Sequence, residues 1–255
     1  MNIFPTLCVI IDIMKDIQYH YEVMTKLPGT DFLPSIEETM TYLGNDPSMD
    51  DLLYVGGAIT PISLLAGYQK GLFPMKIEDA DEEFVGWFSP RSRAVIQLHP
   101  ENEEIEIKMS KSLKKAIKGF EFKVDTCFRD VVELCATLRT EGNWIDEDYI
   151  NVYEQLFIAG YAHSYEVYDR SQPAKLVGGL FGIGVGGFFS GESMFHLVSN
   201  ASKAAFAHLI EDLRSKEYKL LDGQWPTHHL KSLGMLEVDR LEYLRMLKSL
   251  FCKNV

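Results

Sequence analysis

Cysteines are scarce in this sequence, and a long apolar run is missing. The 255 residues include only 4 cysteines, at positions whose spacing matches no paired zinc motif. We therefore expect reduced thiols in a cytoplasmic protein, and no metal site. No apolar run reaches the roughly 18 residues that a membrane-spanning helix needs. Asp12 interrupts the apolar patch at 7–11, and no basic segment precedes that patch, so we expect no secretory signal.

Positive charge is also in short supply. The net charge of −12 argues against broad binding to nucleic acid. The exception is the lysine-rich stretch 108–123, which is predicted to begin with a helix near Ser110. Such a stretch is either a solvated helix face or a surface that holds RNA phosphates. The lysines at its centre are Lys111, Lys114, Lys115 and Lys118.

The apolar content of 46% supports a substantial core, and stretch 188–224 shows how part of it is built. A buried strand end at 188–190 is followed by a polar elbow at 191–195. An amphipathic helix and a short strand at 219–221 come next, so we predict a β-α-β unit with parallel strands. Ligands bind beyond the carboxyl ends of such strands. We therefore expect Glu192, Asp222 and Gln224 to face one cleft.

The rest of the chain alternates between strand and helix patterns, which predicts an α/β protein with a mixed sheet. Pro100 and a charge run suggest a boundary near 98–104. We predict a small N-terminal α/β domain at 31–99 and a catalytic domain resembling the N-acetyltransferases (GNAT-like) at 100–255. Residues 1–30 form an extension whose role the sequence does not indicate.

Three familiar motifs are incomplete in this chain. Gly182, Gly184 and Gly187 fit a dinucleotide-binding string, but a strand follows them where phosphate binding needs a helix N-terminus. Ser193 lacks the second glycine of a hydrolase nucleophile elbow. His228 and His229 are adjacent, so they do not form a chelating pair on one helix face. None of the three predicts chemistry here.

Several segments together resemble the leucyl/phenylalanyl-tRNA–protein transferase family. They are Gly-Glu-Ser-Met-Phe at 191–195, Asn-Ala-Ser-Lys at 200–203, Asp-Gly-Gln at 222–224 and Tyr-Gln-Lys-Gly-Leu-Phe-Pro at 68–74. The resemblance extends from about residue 32 to residue 247. The chain departs from the family pattern at Ala58, Met75 and Gly223, where the family usually has Asp, Trp and Cys.

The resemblance implies a GNAT-like fold and a set of site residues. Asp222, Gln224 and Glu192 are the expected catalytic residues, with the roles of the two carboxylates left open. Lysines 111, 114, 115 and 118 are the expected tRNA-binding residues. Ordinary core packing is the alternative for the expected substrate-binding residues. These are Trp144, Tyr153, Leu180, Phe189, Gly191 and Met194.

The implied activity is transfer of Leu or Phe, with Met as a further donor, from charged tRNA to an acceptor protein. The acceptor carries N-terminal Arg or Lys, and the product is marked for degradation. We also expect a monomer with no cofactor, metal or membrane partner. Two alternatives stay open. They are an acyl-CoA-dependent N-acyltransferase of the same fold, and an inactive protein that binds RNA or N-degrons.

Overall fold

The structure, a computed structural model, describes residues 33–45, 50–79, 82–99, 109–138 and 144–251. The predicted extension at 1–30 and Lys108 lie outside these ranges. The chain forms two compact units. One contains the described parts of Met1–Arg91 and Arg240–Val255, and the other is Ser92–Asp239. None of the described helices is both long and apolar enough to cross a membrane.

The first unit combines a small antiparallel sheet with helices. Its strands are ordered β1-β3-β2. Thr60 and Ser63 form a reciprocal capping box at the start of its second helix, and Pro61 occupies the first turn. The elements are α1 (Ile36–Asn45), β1 (Leu52–Val55), α2 (Pro61–Gln69), β2 (Phe73–Asp79), β3 (Glu82–Phe88) and, from the C-terminal segment, α8 (Arg240–Phe251).

The second unit is built on a mixed sheet with strand order β10-β4-β9-β8-β7-β6-β5. This sheet confirms the predicted mixed α/β fold class. Its elements in chain order are β4 (Ser92–Gln97), α3 (Lys111–Ile117), β5 (Phe120–Val124), α4 (Phe128–Thr137), α5 (Glu147–Ile158), β6 (Ala162–Asp169), β7 (Gln172–Val185), β8 (Phe188–His196), α6 (Ala201–Ser215), β9 (Leu220–Asp222), α7 (His228–Leu233) and β10 (Leu236–Asp239).

The predicted β-α-β unit is present as β8, α6 and β9. Strands β8 and β9 are parallel, with Phe188 opposite Leu220 and Ser190 opposite Asp222. Helix α6 connects them and buries its apolar face, including Leu209, in the core of this unit. This arrangement places the residues that follow Ser190 and Asp222 at one edge of the sheet.

The predicted elbow at 191–195 is wrong, because β8 continues through it to His196. The segment stays extended because it pairs with β7. Gly182 is paired with Gly191 and Phe181 with Ser193, so the pairing between the two strands skips Glu192. Glu192 is therefore the extra residue of a β-bulge. A bulge changes the direction of a side chain and is common beside active sites.

The two units are divided differently from the predicted domains. Strand β4 pairs with β9 and β10, which places Ser92–Gln97 in the second unit. Helix α8 belongs to the first unit, where Leu244 and Leu247 lie against Gly71. Both assignments depend on contacts between residues far apart in the sequence, which local breaks in the pattern do not reveal.

Candidate active site

The ends of the parallel strands bring the predicted catalytic residues together. Gln224 directs its side-chain nitrogen Nε2 toward Glu192 Oε1, at 3.4 Å, and toward Ser190 Oγ, at 3.5 Å. Asp222 is fully buried and Glu192 is 8% exposed. Burial of this kind strengthens electrostatic interactions, because the groups are shielded from water.

Asp222 forms a buried ion pair with Arg93, a residue that the sequence analysis did not select. Arg93 Nε lies 2.9 Å from Asp222 Oδ1, and its Nη2 lies 2.6 Å from Oδ2. The exposed fractions of the two side chains are 1% and 0%. Paired donors that meet both oxygens of a carboxylate fix its orientation as well as its charge. The Asp222 carboxylate is thus held by Arg93 of β4, the strand next to β9.

The same carboxylate fixes the backbone of Gln224. Asp222 Oδ1 accepts a hydrogen bond from the Gln224 N–H at 2.8 Å. Gln224 has φ = 63°, in the left-handed region that costs a residue with a Cβ about 1–2 kcal/mol. Backbone bonds between Ala94 and residues 223–224 hold this turn from the other side. Arg93 and Asp222 therefore position the Gln224 amide.

Two apolar side chains occupy the space beside Gly223, where the family usually has Cys. A Cβ on Gly223 would lie 2.7 Å from Met235 Sδ and 3.1 Å from Leu230 Cδ1. Met235 and Leu230 thus pack directly against the backbone between Asp222 and Gln224. Leu230 lies on α7, and Met235 comes directly before β10. Both side chains support the strand end from the side that Cys would fill.

Glu192 receives hydrogen bonds from two different elements. The Tyr153 hydroxyl on α5 donates to Glu192 Oε2 at 3.1 Å, while Gln224 approaches the other oxygen. Asp146 caps α5 by accepting from the N–H groups of Asp148 and Tyr149. Glu192 is therefore a carboxylate whose two oxygens face a phenol and an amide.

Aromatic side chains form a continuous layer from the start of α5 to β7. Trp144 meets Tyr149 edge-on at 5.4 Å, Tyr149 lies 6.1 Å from Tyr153, and Tyr153 lies 5.0 Å from Phe181. Trp144 is partly exposed, whereas Tyr149 and Tyr153 are buried. Burial raises the pKa of the Tyr149 hydroxyl, and the carboxylates of Asp146 and Glu192 raise it further.

The other expected substrate-binding residues differ in burial. Leu180 and Phe189 belong to the hydrophobic core of the second unit. The Phe189 ring lies 6.2 Å from the Tyr165 ring and 6.1 Å from the Tyr218 ring. Met194, the cross-strand partner of Leu180, is partly exposed and packs on the same core. Met194 and Gly191 are thus the partly exposed members of this set.

The lysine-rich stretch forms the exposed helix α3, capped by Ser110. Leu113 is the buried residue of this helix. Lys111, Lys114, Lys115 and Lys118 are exposed and form no ion pair with a described residue. Exposed lysines suit the binding of phosphates. Among the described residues, no group of three or more His, Cys, Asp or Glu side chains is arranged to hold a metal ion.

The described sheet contains a parallel strand pair, and a carboxylate, an amide and a phenol collect where that pair ends. A crossover helix and a β-bulge complete the arrangement at this edge of the mixed sheet. Comparison with known families is more specific. The model described as "Leucyl/phenylalanyl-tRNA protein transferase" matches residues 99–248. The model of the N-terminal domain of the same family matches residues 57–91.

Curated relatives agree with the family models. A leucyl/phenylalanyl-tRNA–protein transferase of Legionella pneumophila (strain Corby) is 42% identical over 213 residues, which cover 81% of this chain and 90% of the relative. One of Sulfurimonas denitrificans is 40% identical over 203 residues, covering 78% and 84%. The chain therefore belongs to the leucyl/phenylalanyl-tRNA–protein transferase family. The solved structure of FemX aligns over 81% of this chain and 75% of that chain, with a TM-score of 0.48 and 8% identity.

Proposed function

We propose that this protein transfers the aminoacyl group of a charged tRNA to the N-terminal amine of an acceptor protein. The donors are Leu-tRNA, Phe-tRNA and, as a further donor, Met-tRNA. The acceptor begins with Arg or Lys, and the extended protein is marked for degradation. The observation that carries the proposal is the convergence of Glu192, Gln224 and Tyr153 at the end of the parallel strands.

The reaction is the aminolysis of an ester. The acceptor nitrogen forms a bond with the ester carbon, the bond from that carbon to the ribose oxygen breaks, and the nitrogen loses a proton as the ribose oxygen gains one. An α-amino group has a reference pKa of ~7.7–8.0, so part of it is neutral near pH 7. The ester already supplies the driving force. The protein therefore has to position two substrates, accept a proton and stabilise charge.

The geometry supports different roles for the two carboxylates. Asp222 is committed to Arg93 and to the Gln224 backbone, so we assign it the positioning of Gln224. The Gln224 amide contacts the attacking amine or the ester carbonyl. Glu192 is the carboxylate that meets a substrate ammonium, either that of the donor or that of the acceptor. A negative charge shielded from water binds such a cation strongly.

The remaining assignments concern the tRNA, the side-chain pocket and the setting. Lys111, Lys114, Lys115 and Lys118 bind the phosphates of the tRNA. Met194, Leu180 and Phe189 form the apolar wall that accepts the transferred side chain, with Gly191 beside it, while Trp144 and Tyr153 contact the terminal adenosine. The protein acts as a monomer in the cytoplasm and needs no cofactor.

A transfer assay tests the proposal directly. Purified protein is incubated with tRNA carrying radiolabelled Leu and with a peptide that begins with Arg. The proposal expects label in the peptide, and no label when the peptide is acetylated at its N-terminus or begins with Ala. Absence of transfer at saturating concentrations of both substrates would reject it. Acylation of the same peptide from acyl-CoA would instead support an acyl-CoA-dependent enzyme.

A further inference from the structure

Tyr149 has a buried hydroxyl whose hydrogen-bonding capacity the described residues do not use. The residue is 0% exposed, and its hydroxyl oxygen has no hydrogen-bond partner among the described residues. Leaving a buried donor unpaired is unfavourable, and buried polar groups of native proteins are mostly hydrogen-bonded to protein or to ordered water. Tyr153, one helical turn further along α5, shows the contrast, because its hydroxyl donates to Glu192.

The ring of Tyr149 lies beside residues of the site. Tyr149 and Tyr153 are four residues apart on α5, so they share a helix face, and their rings are 6.1 Å apart. Trp144 meets the Tyr149 ring edge-on at 5.4 Å. Burial raises the pKa of the hydroxyl, and the carboxylates of Asp146 and then Glu192 raise it further. The hydroxyl therefore remains a neutral donor throughout the working pH range.

We propose that Tyr149 is a further substrate-binding residue, whose hydroxyl donates a hydrogen bond to an oxygen of the aminoacyl-adenosine end of the donor tRNA. This inference rests on the proposed function. An ammonium group is itself a donor and offers a hydroxyl proton no acceptor, so the acceptor peptide's N-terminus does not suit this position. The ester carbonyl and the ribose oxygens are neutral acceptors. The partly exposed Trp144 beside it offers a flat face on which a base can stack.

The test is Tyr149→Phe, which removes the hydroxyl and keeps the ring. We expect the KM for Leu-tRNA to rise about tenfold, since one hydrogen bond to a neutral oxygen is lost. The melting temperature should stay the same or rise, because the variant no longer buries an unpaired donor. A nonreactive adenosine analogue with an amide-linked Leu should also bind about tenfold more weakly in calorimetry.

Tyr168→Phe is the matched control. The Tyr168 hydroxyl lies 3.2 Å from Cys127 Sγ, so this variant loses an interaction within the fold. It should melt at a lower temperature and keep the parental KM. If Tyr149→Phe binds Leu-tRNA and the analogue as tightly as the unmodified protein does, the inference is overturned. The proposed function still stands in that case, provided that the unmodified protein transfers Leu. A parent that transfers no Leu would overturn both.

Discussion

The buried pair of Arg93 and Asp222 allows a sharp prediction about how the carboxylate acts. Asp222→Asn keeps the shape of the side chain but leaves the Arg93 guanidinium buried without its counter-charge. Arg93→Met leaves the Asp222 carboxylate buried without its counter-charge. Removing one partner of a buried ion pair costs about 3–5 kcal/mol. We therefore expect either variant to melt roughly 10–20 °C below the parent.

The two variants also separate a positioning role from direct proton transfer. If Asp222 acts by holding Gln224 in its left-handed conformation, both variants disturb the same amide. We then expect each to lower the single-turnover rate of Leu transfer by about 10²-fold. If Asp222 itself accepts the proton, Arg93→Met still contains the carboxylate that does so. The single-turnover rate should then fall much less in Arg93→Met than in Asp222→Asn.

Single-turnover transfer from Leu-tRNA is measured at 15 °C, below the melting of every variant, with tRNA affinity measured in parallel. Affinity for charged tRNA should stay near the parental value, because neither residue is expected to contact phosphate. The double variant, Arg93→Met with Asp222→Asn, buries no charge and should melt closer to the parent than either single variant. A parental rate in Arg93→Met beside a large loss in Asp222→Asn would refute the positioning role.

Three further predictions address the rest of the site. Glu192→Gln removes the charge and replaces one acceptor oxygen with an NH2 donor, so it cannot accept from both Tyr153 and Gln224; kcat/KM should fall by about 10²-fold, and an unchanged kcat/KM would remove Glu192 from the mechanism. Lys114→Glu with Lys115→Glu should raise the KM for charged tRNA and flatten its dependence on salt, and an equal salt slope in parent and variant would reject the tRNA-binding surface. Met194→Ala should lower kcat/KM for Leu and Phe donors by about tenfold at nearly parental stability. Phe189→Ala should instead lower the free energy of unfolding by about 3–5 kcal/mol, because the ring is fully buried. Parental donor kinetics in Met194→Ala would show that the side-chain pocket lies elsewhere.

Local patterns in the sequence were enough to predict several elements of the second unit. The helix predicted to begin near Ser110 is capped by Ser110 in the structure, and the short strand predicted at 219–221 is observed at Leu220–Asp222. The parallel pairing of β8 and β9 also followed from the β-α-β pattern. These features depend on apolar periodicity, caps and short connections, all of which act over a few residues.

Contacts between residues far apart in the chain determined the features of the site that local sequence patterns did not predict. Arg93 meets Asp222 across 129 positions, and α8 joins the first unit although it follows the second unit in the chain. Glu192 became a bulge residue only through the register of β7 and β8. The types of side chain at 192, 222 and 224 indicated the chemistry. Their orientation depended on partners that only the closure of the sheet brings close, because a charge buried at one strand end is stable only where another strand supplies its counter-charge.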